Sequence, residues 1–117
     1  MKKGDDNMKK DIITYDSITA AEAKKLIEEA KVEIIILDVR TKEEYTEGHI
    51  PGAILIPDYE ILEKAPNILK DKEQLILVYC RSGRRSKNAS EALVSLGYDN
   101  VKEFGGIIDW KYEIVKD

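Results

Sequence analysis

The stretch "VYCRSGRRS", residues 78–86, holds the one cysteine of a 117-residue chain, and three arginines, two serines and a glycine fill the six positions after it. A lone cysteine is ordinarily a small buried hydrophobe, so its neighbours decide whether Cys80 does chemistry. It ends the apolar run "QLILVYC", and the spacing that follows predicts a helix beginning near Ser86. The intervening "RSGRR" must turn tightly, and Gly83 supplies the conformational freedom for that turn. A loop curled ahead of a helix points backbone N–H groups into its concavity, and the helix end adds roughly half a positive charge. Arg81, Ser82, Gly83, Arg84, Arg85 and Ser86 together form an anion cradle on this reading. A thiol on its floor is biased towards thiolate by the N–H groups, the helix end and the guanidinium groups, so Cys80 is expected to be a nucleophile. The plainer alternative turns the arginines to solvent around a cysteine that merely packs.

The elements that must position this loop follow from periodicity. "SITAAEAKKLIEEA" sets Thr19 three residues before Glu22, a capping box, ahead of apolar residues at helical intervals, which predicts a helix over about 20–30. "VEIIILDV" (32–39) is a continuous β-branched and aliphatic run, suited to a strand covered on both faces of a parallel sheet. Thr41 and Glu44 in "TKEEYTEG" cap a second, short helix that Gly48 can end. "GAILIP" predicts a short strand closed by Pro57, and "YEILEKAPNILKD" irregular helical turns broken at Pro66. "QLILVYC" is a buried strand, "SKNASEALVSLG" a helix ending at Gly97, "NVKEF" a last short strand, and "IIDWKYEIV" a terminal helix. Strands alternating with helices give an α/β domain whose sheet is mostly parallel, with ligands expected at the carboxyl ends of the strands, where Cys80 stands.

Composition agrees with one domain: 117 residues suffice for one core and are too few for two. The first eleven residues, "MKKGDDNMKKD", are expected to form a solvated tail and 12–117 the domain. The net charge of -4 gives no general attraction to nucleic acid or to an anionic membrane. No apolar segment of signal-peptide or membrane-spanning length occurs. One cysteine cannot close an internal disulfide, which fits a reducing compartment, and a cytoplasmic location is expected.

Three motifs in order make the chain resemble the single-domain rhodanese-like sulfurtransferases. "CRSGRRS" resembles their active-site loop, "LDVRTKEEYTEGHIPGAILIP" (37–57) their first signature, and "GGIIDW" (105–110) their closing Gly-Gly and Trp. The resemblance implies a twisted five-stranded, mostly parallel sheet flanked by helices on both faces. It also implies that Cys80 becomes a persulfide, that Arg85 holds the loop or substrate, and that Asp38 and Arg40 brace the site from the neighbouring strand. The activity implied moves a sulfane sulfur from thiosulfate or a similar anionic donor to cyanide or a thiol.

His49, the only histidine, lies among the turn residues Gly48, Pro51 and Gly52, so a structural corner competes with a general-base role. One His and one Cys make no zinc cluster, and no cofactor or metal is expected. Gly105 and Gly106 match no phosphate-binding fingerprint. Asp38 and Arg40 share a strand face, and Trp110 is expected in the core or as a pocket wall. Two rival functions remain: a sulfur-relay or sensory module handing its persulfide to an accepting protein, and a cysteine phosphatase or arsenate reductase. The cell-cycle phosphatases share the fold but place five residues between Cys and Arg, whereas four separate Cys80 from Arg85.

Overall fold

A computed structural model describes residues 14–116. The apolar runs become the inner strands of a sheet. β1 (Asp16–Ser17), β2 (Ile35–Asp38), β3 (Ile54–Leu55), β4 (Ile76–Cys80) and β5 (Val101–Gly106) lie in the order β1-β5-β4-β2-β3, and every pair is parallel. All five residues of β4 are buried. Successive side chains of a strand point to opposite faces, so this uninterrupted run feeds two cores. Leu37, Val39, Ile76, Val78 and Cys80 pack with Leu93 and Tyr98 on one face. Ile36, Leu77, Tyr79, Phe104 and Trp110 pack with Ala23 on the other.

The helices cover those faces. α1 (Ala20–Glu29) and α2 (Lys42–Glu47) each begin with a reciprocal capping box, Thr19 with Glu22 and Thr41 with Glu44. The α2 helix stops at Gly48, whose N–H bonds to the Tyr45 carbonyl. α3 (Ile61–Ile68) and α4 (Arg84–Ser95) follow β3 and β4. α4 turns Ser86, Ala89, Ser90 and Leu93 inward.

The structure departs from the periodicity in five places. β2 begins only at Ile35, because Val32 is 76% exposed and the chain before it has not yet entered the sheet. α3 is not broken at Pro66 but runs through it; the carbonyl that loses its partner is that of Leu62, an exposed residue, where water can replace the bond. α4 starts at Arg84, two residues before the expected Ser86, so two of the three arginines stand in its first turn. The segment after Gly106 forms only a 3₁₀ turn (Ile107–Asp109) and then an extended strap that pairs Val115 antiparallel with His49. Of its apolar residues only Trp110 is buried, while Tyr112 and Ile114 stay exposed, so the segment has no apolar face to pack as a helix. β1 is two polar residues long and carries no apolar signal, yet it completes the five strands by pairing with Lys102 and Glu103. The expected N-terminal tail lies outside the described residues.

Candidate active site

Cys80 is the last residue of β4 and is fully buried. Two backbone groups touch its sulfur. The Gly83 N–H donates to Sγ at 2.9 Å, and Sγ lies 3.7 Å from the Gly105 carbonyl, to which the thiol can donate. Both glycines adopt left-handed backbone, φ 119° at Gly83 and 82° at Gly105. Gly105 sits at a bulge: Val78 faces Glu103 and Cys80 faces Gly106, so β5 has one residue more than β4 between those pairs. Gly106 serves closeness, since a Cβ there would overlap the Arg81 carbonyl group. That carbonyl in turn accepts from the Ile108 N–H at 3.3 Å. The paired glycines thus let β5 approach the Cys80 loop closely.

Above this floor, α4 begins without a capping side chain and without an acidic residue in its first turn. Its positive end is left uncompensated by its own sequence. Arg81, Ser82 and Arg84 are exposed. Neither Arg81 nor Arg84 has an ion pair or side-chain hydrogen bond among the described residues, so both guanidinium groups are available to an anion. Arg85 is engaged differently. Its Nη1 and Nη2 donate to Oε1 and Oε2 of Glu44 at 2.8 and 3.0 Å, a bidentate pair. That pairing, against the opposing effect of partial burial, holds the Glu44 carboxyl down from 4.5 to about 2, and the Arg85 guanidinium is raised chiefly by the same bond. Glu44 was legible only as a helix cap. It performs both tasks, accepting from the Thr41 N–H as well.

Asp38 and Arg40 are brought together on the face of the sheet that holds Ile36 and Tyr79, opposite the one that holds Cys80. Arg40 Nε and Nη2 donate to Asp38 Oδ1 and Oδ2 at 2.9 and 2.7 Å, and Nη2 also donates to the Gly48 carbonyl at 2.7 Å. The Tyr79 hydroxyl donates to Asp38 Oδ2 at 2.7 Å and accepts from the Ile50 N–H. Burial, with the adjacent Asp38 carboxylate, pushes the Tyr79 phenol upward, so it stays a donor. The network fixes the corner at residues 48–50, where α2 ends, and α2 carries Glu44 to Arg85. His49 belongs to that corner: its ring stacks on Tyr45 with centroids 3.7 Å apart, and its backbone pairs with Val115.

Ser86 is fully buried; its hydroxyl lies 2.9 Å from the Gly83 carbonyl, 2.8 Å from Glu103 Oε1 and 3.3 Å from the Gly105 carbonyl. These contacts tie α4 to the loop and to β5. Glu103, absent from the sequence-derived site, also accepts from the Gly105 N–H at 3.0 Å. Its signal was one of two adjacent charged residues in "VKEF", too common a pattern to single out. Beside the loop, a cleft of about 300 Å³ is walled by Arg40, Glu47, Arg81, Ile107, Ile108 and Ile114. Among the described residues no cluster of His, Cys, Asp or Glu is arranged to hold a metal ion, and no helix is long and apolar enough to cross a membrane.

The class of protein is set by a parallel α/β sheet that delivers one cysteine into a glycine-shaped, arginine-rimmed loop at a helix N-terminus. The family model "Rhodanese-like domain" matches residues 19–113. The chain belongs to that family, the rhodanese-like sulfurtransferases. It is 41% identical over 95 residues to the putative sulfurtransferase YtwF of Bacillus subtilis, covering 81% of this chain and 88% of the relative. It is also 41% identical over 73 residues to the thiosulfate sulfurtransferase PspE of Escherichia coli, covering 62% and 70%. Among solved structures, a rhodanese-related protein of Thermoplasma volcanium superposes with a TM-score of 0.75 at 36% identity, covering 88% of this chain and all of that one.

Proposed function

We propose that the chain transfers a sulfane sulfur from thiosulfate, or a donor of the same anionic class, to cyanide or a thiol through a persulfide on Cys80. The observation that carries the reading is the Gly83 N–H donated to Sγ at 2.9 Å, in a loop where Arg81 and Arg84, just before and at the start of α4, have no ion pair among the described residues. The thiolate attacks the outer sulfur of thiosulfate, an S–S bond forms to Sγ, and the old S–S bond breaks to release sulfite with its electron pair. The charge balances, thiolate and dianion giving persulfide anion and sulfite dianion. Cyanide or a thiolate then attacks the outer sulfur and returns Cys80 to thiolate. No separate general base enters either step, consistent with a site in which His49 is committed to a structural corner. Positive charge for a dianionic donor comes from Arg81, Arg84 and the helix end. Arg85, already neutralised by Glu44, acts by fixing the first turn of α4 against α2.

A phosphatase reading fits the same loop less well. Phosphate transfer needs donors around three equatorial oxygens and an acid for the leaving oxygen, whereas Arg85 is held by Glu44 four residues beyond the intervening loop's start. The test is a direct comparison of rates: thiocyanate forms from thiosulfate and cyanide, aryl phosphate is hydrolysed only in traces, and Cys80→Ser abolishes thiocyanate formation. Faster aryl phosphate hydrolysis than sulfur transfer, lost in Cys80→Ser, overturns the assignment.

A further inference from the structure

β5 places Glu103 on the face it shares with Val101, towards α4, and its side chain is only 3% exposed. A buried carboxylate is costly, and an apolar residue of similar size usually serves packing as well or better. This one is fully engaged. Burial pushes its carboxyl up, yet hydrogen bonds from Ser17, Ser86 and the Gly105 N–H, with the charge of Lys87, hold it below the ordinary carboxylate range. The Lys87 ammonium is 3.5 Å from Oε2 and half-exposed.

One partner of Glu103, Gly105, also meets the sulfur, and another, Ser86, touches the second residue that does. Gly105 gives its N–H to Glu103 Oε1 at 3.0 Å and turns its carbonyl to Sγ. The Ser86 hydroxyl has one proton and shares it, as a three-centre bond, between Glu103 Oε1 and the Gly83 carbonyl, and Gly83 gives its own N–H to Sγ. Each glycine in contact with the thiol is therefore linked to Glu103 Oε1 through its other backbone group, Gly105 directly by its N–H and Gly83 by its carbonyl through the shared Ser86 hydroxyl. Both glycines are left-handed, so their peptide orientation depends on such external bonds more than on local preference.

We propose that Glu103 is a positioning residue for Cys80: its carboxylate sets the Gly105 carbonyl and, through Ser86, the Gly83 N–H that hold the sulfur in place. Its kinetic consequence rests on the sulfur-transfer reading, whereas its structural consequence does not. The test uses amide ¹H–¹⁵N spectra and amide exchange of the full chain, with steady-state kinetics alongside. Glu103→Leu, which keeps bulk and removes the acceptor, shifts both the Gly83 and Gly105 amides and speeds their exchange about tenfold. Ser86→Ala shifts Gly83 more than Gly105, whose N–H keeps Glu103 Oε1 as its acceptor. Glu103→Gln keeps Oε1 as acceptor and returns both amides towards wild type. With thiosulfate, Glu103→Leu lowers kcat about tenfold while KM stays within about twofold, and Glu103→Gln recovers most of that loss. Unchanged Gly83 and Gly105 amides in Glu103→Leu overturn the proposal. If that variant does not fold, a Gly83 amide unmoved in Ser86→Ala overturns it instead. A wild-type chain that takes no sulfur from thiosulfate defeats the functional reading, while the amide shifts still decide the role of Glu103.

Discussion

At the scale of residues, the three arginines after Cys80 divide into two kinds, although the sequence presents them alike. Arg81 and Arg84 are exposed with no ion pair among the described residues, whereas Arg85 forms a bidentate pair with Glu44. Neutralising Arg81 or Arg84 to alanine should raise the KM for thiosulfate about three- to tenfold with little change in melting temperature, since only attraction of the anion is lost. Steady-state kinetics and thermal melts on the same preparations check both halves of that expectation. The turn and the local positive charge after Cys80 could be read from "CRSGRRS" because glycine and arginine report both locally. The partners Glu44 and Glu103 could not, because their contacts with Arg85 and Ser86 span 41 and 17 residues of sequence.

At the scale of elements, α2 and β5 decide whether the loop holds its shape. The Glu44 carboxyl is lower in the folded chain, about 2, than its ordinary 4.5. Its pair with Arg85 therefore adds stability above about pH 4.5 that is lost as the pH falls through about 2. Glu44→Gln should melt lower than wild type at neutral pH by an amount equivalent to about 0.5–1 kcal/mol, the pair being partly solvated. The gap between the two proteins should close between pH 5 and pH 2. A constant gap across that range would remove the ion pair from the account. On β5, Gly106→Ala forces a methyl group into the Arg81 peptide. We expect it to cost about 1–3 kcal/mol and to reduce sulfur transfer by distorting the loop, measured by melting temperature and thiocyanate formation. Capping boxes and apolar runs made α1, α2, β2 and β4 legible in the sequence. The strap after Ile107 was not, because "IIDWKYEIV" has enough apolar residues to imitate a helix, and only the pairing of Val115 with His49 settles it as extended. β1 was hidden for the opposite reason: its two residues join the sheet through backbone bonds to β5 and bury no apolar side chain.

At the scale of the whole molecule, the net charge is -4 while the loop after Cys80 is strongly basic. Attraction of an anionic donor is thus local, and screening should matter over a Debye length of about 8–10 Å at moderate salt. Raising ionic strength should increase the KM for thiosulfate and leave kcat nearly constant. The sheet gathers the rest of the machinery behind one sulfur atom: β4 presents it, β5 supports it from Gly105, α4 supplies the positive end, and α2 locks Arg85. The central claim is that Cys80 carries the transferred sulfur, and the most direct measurement is the intact mass of the protein after brief exposure to thiosulfate. The wild-type chain should gain about 32 Da, one sulfur atom, and lose it again on addition of cyanide, while Cys80→Ser should gain nothing. A wild-type mass that stays unchanged while thiocyanate is being produced, or an equal gain in Cys80→Ser, would contradict the account.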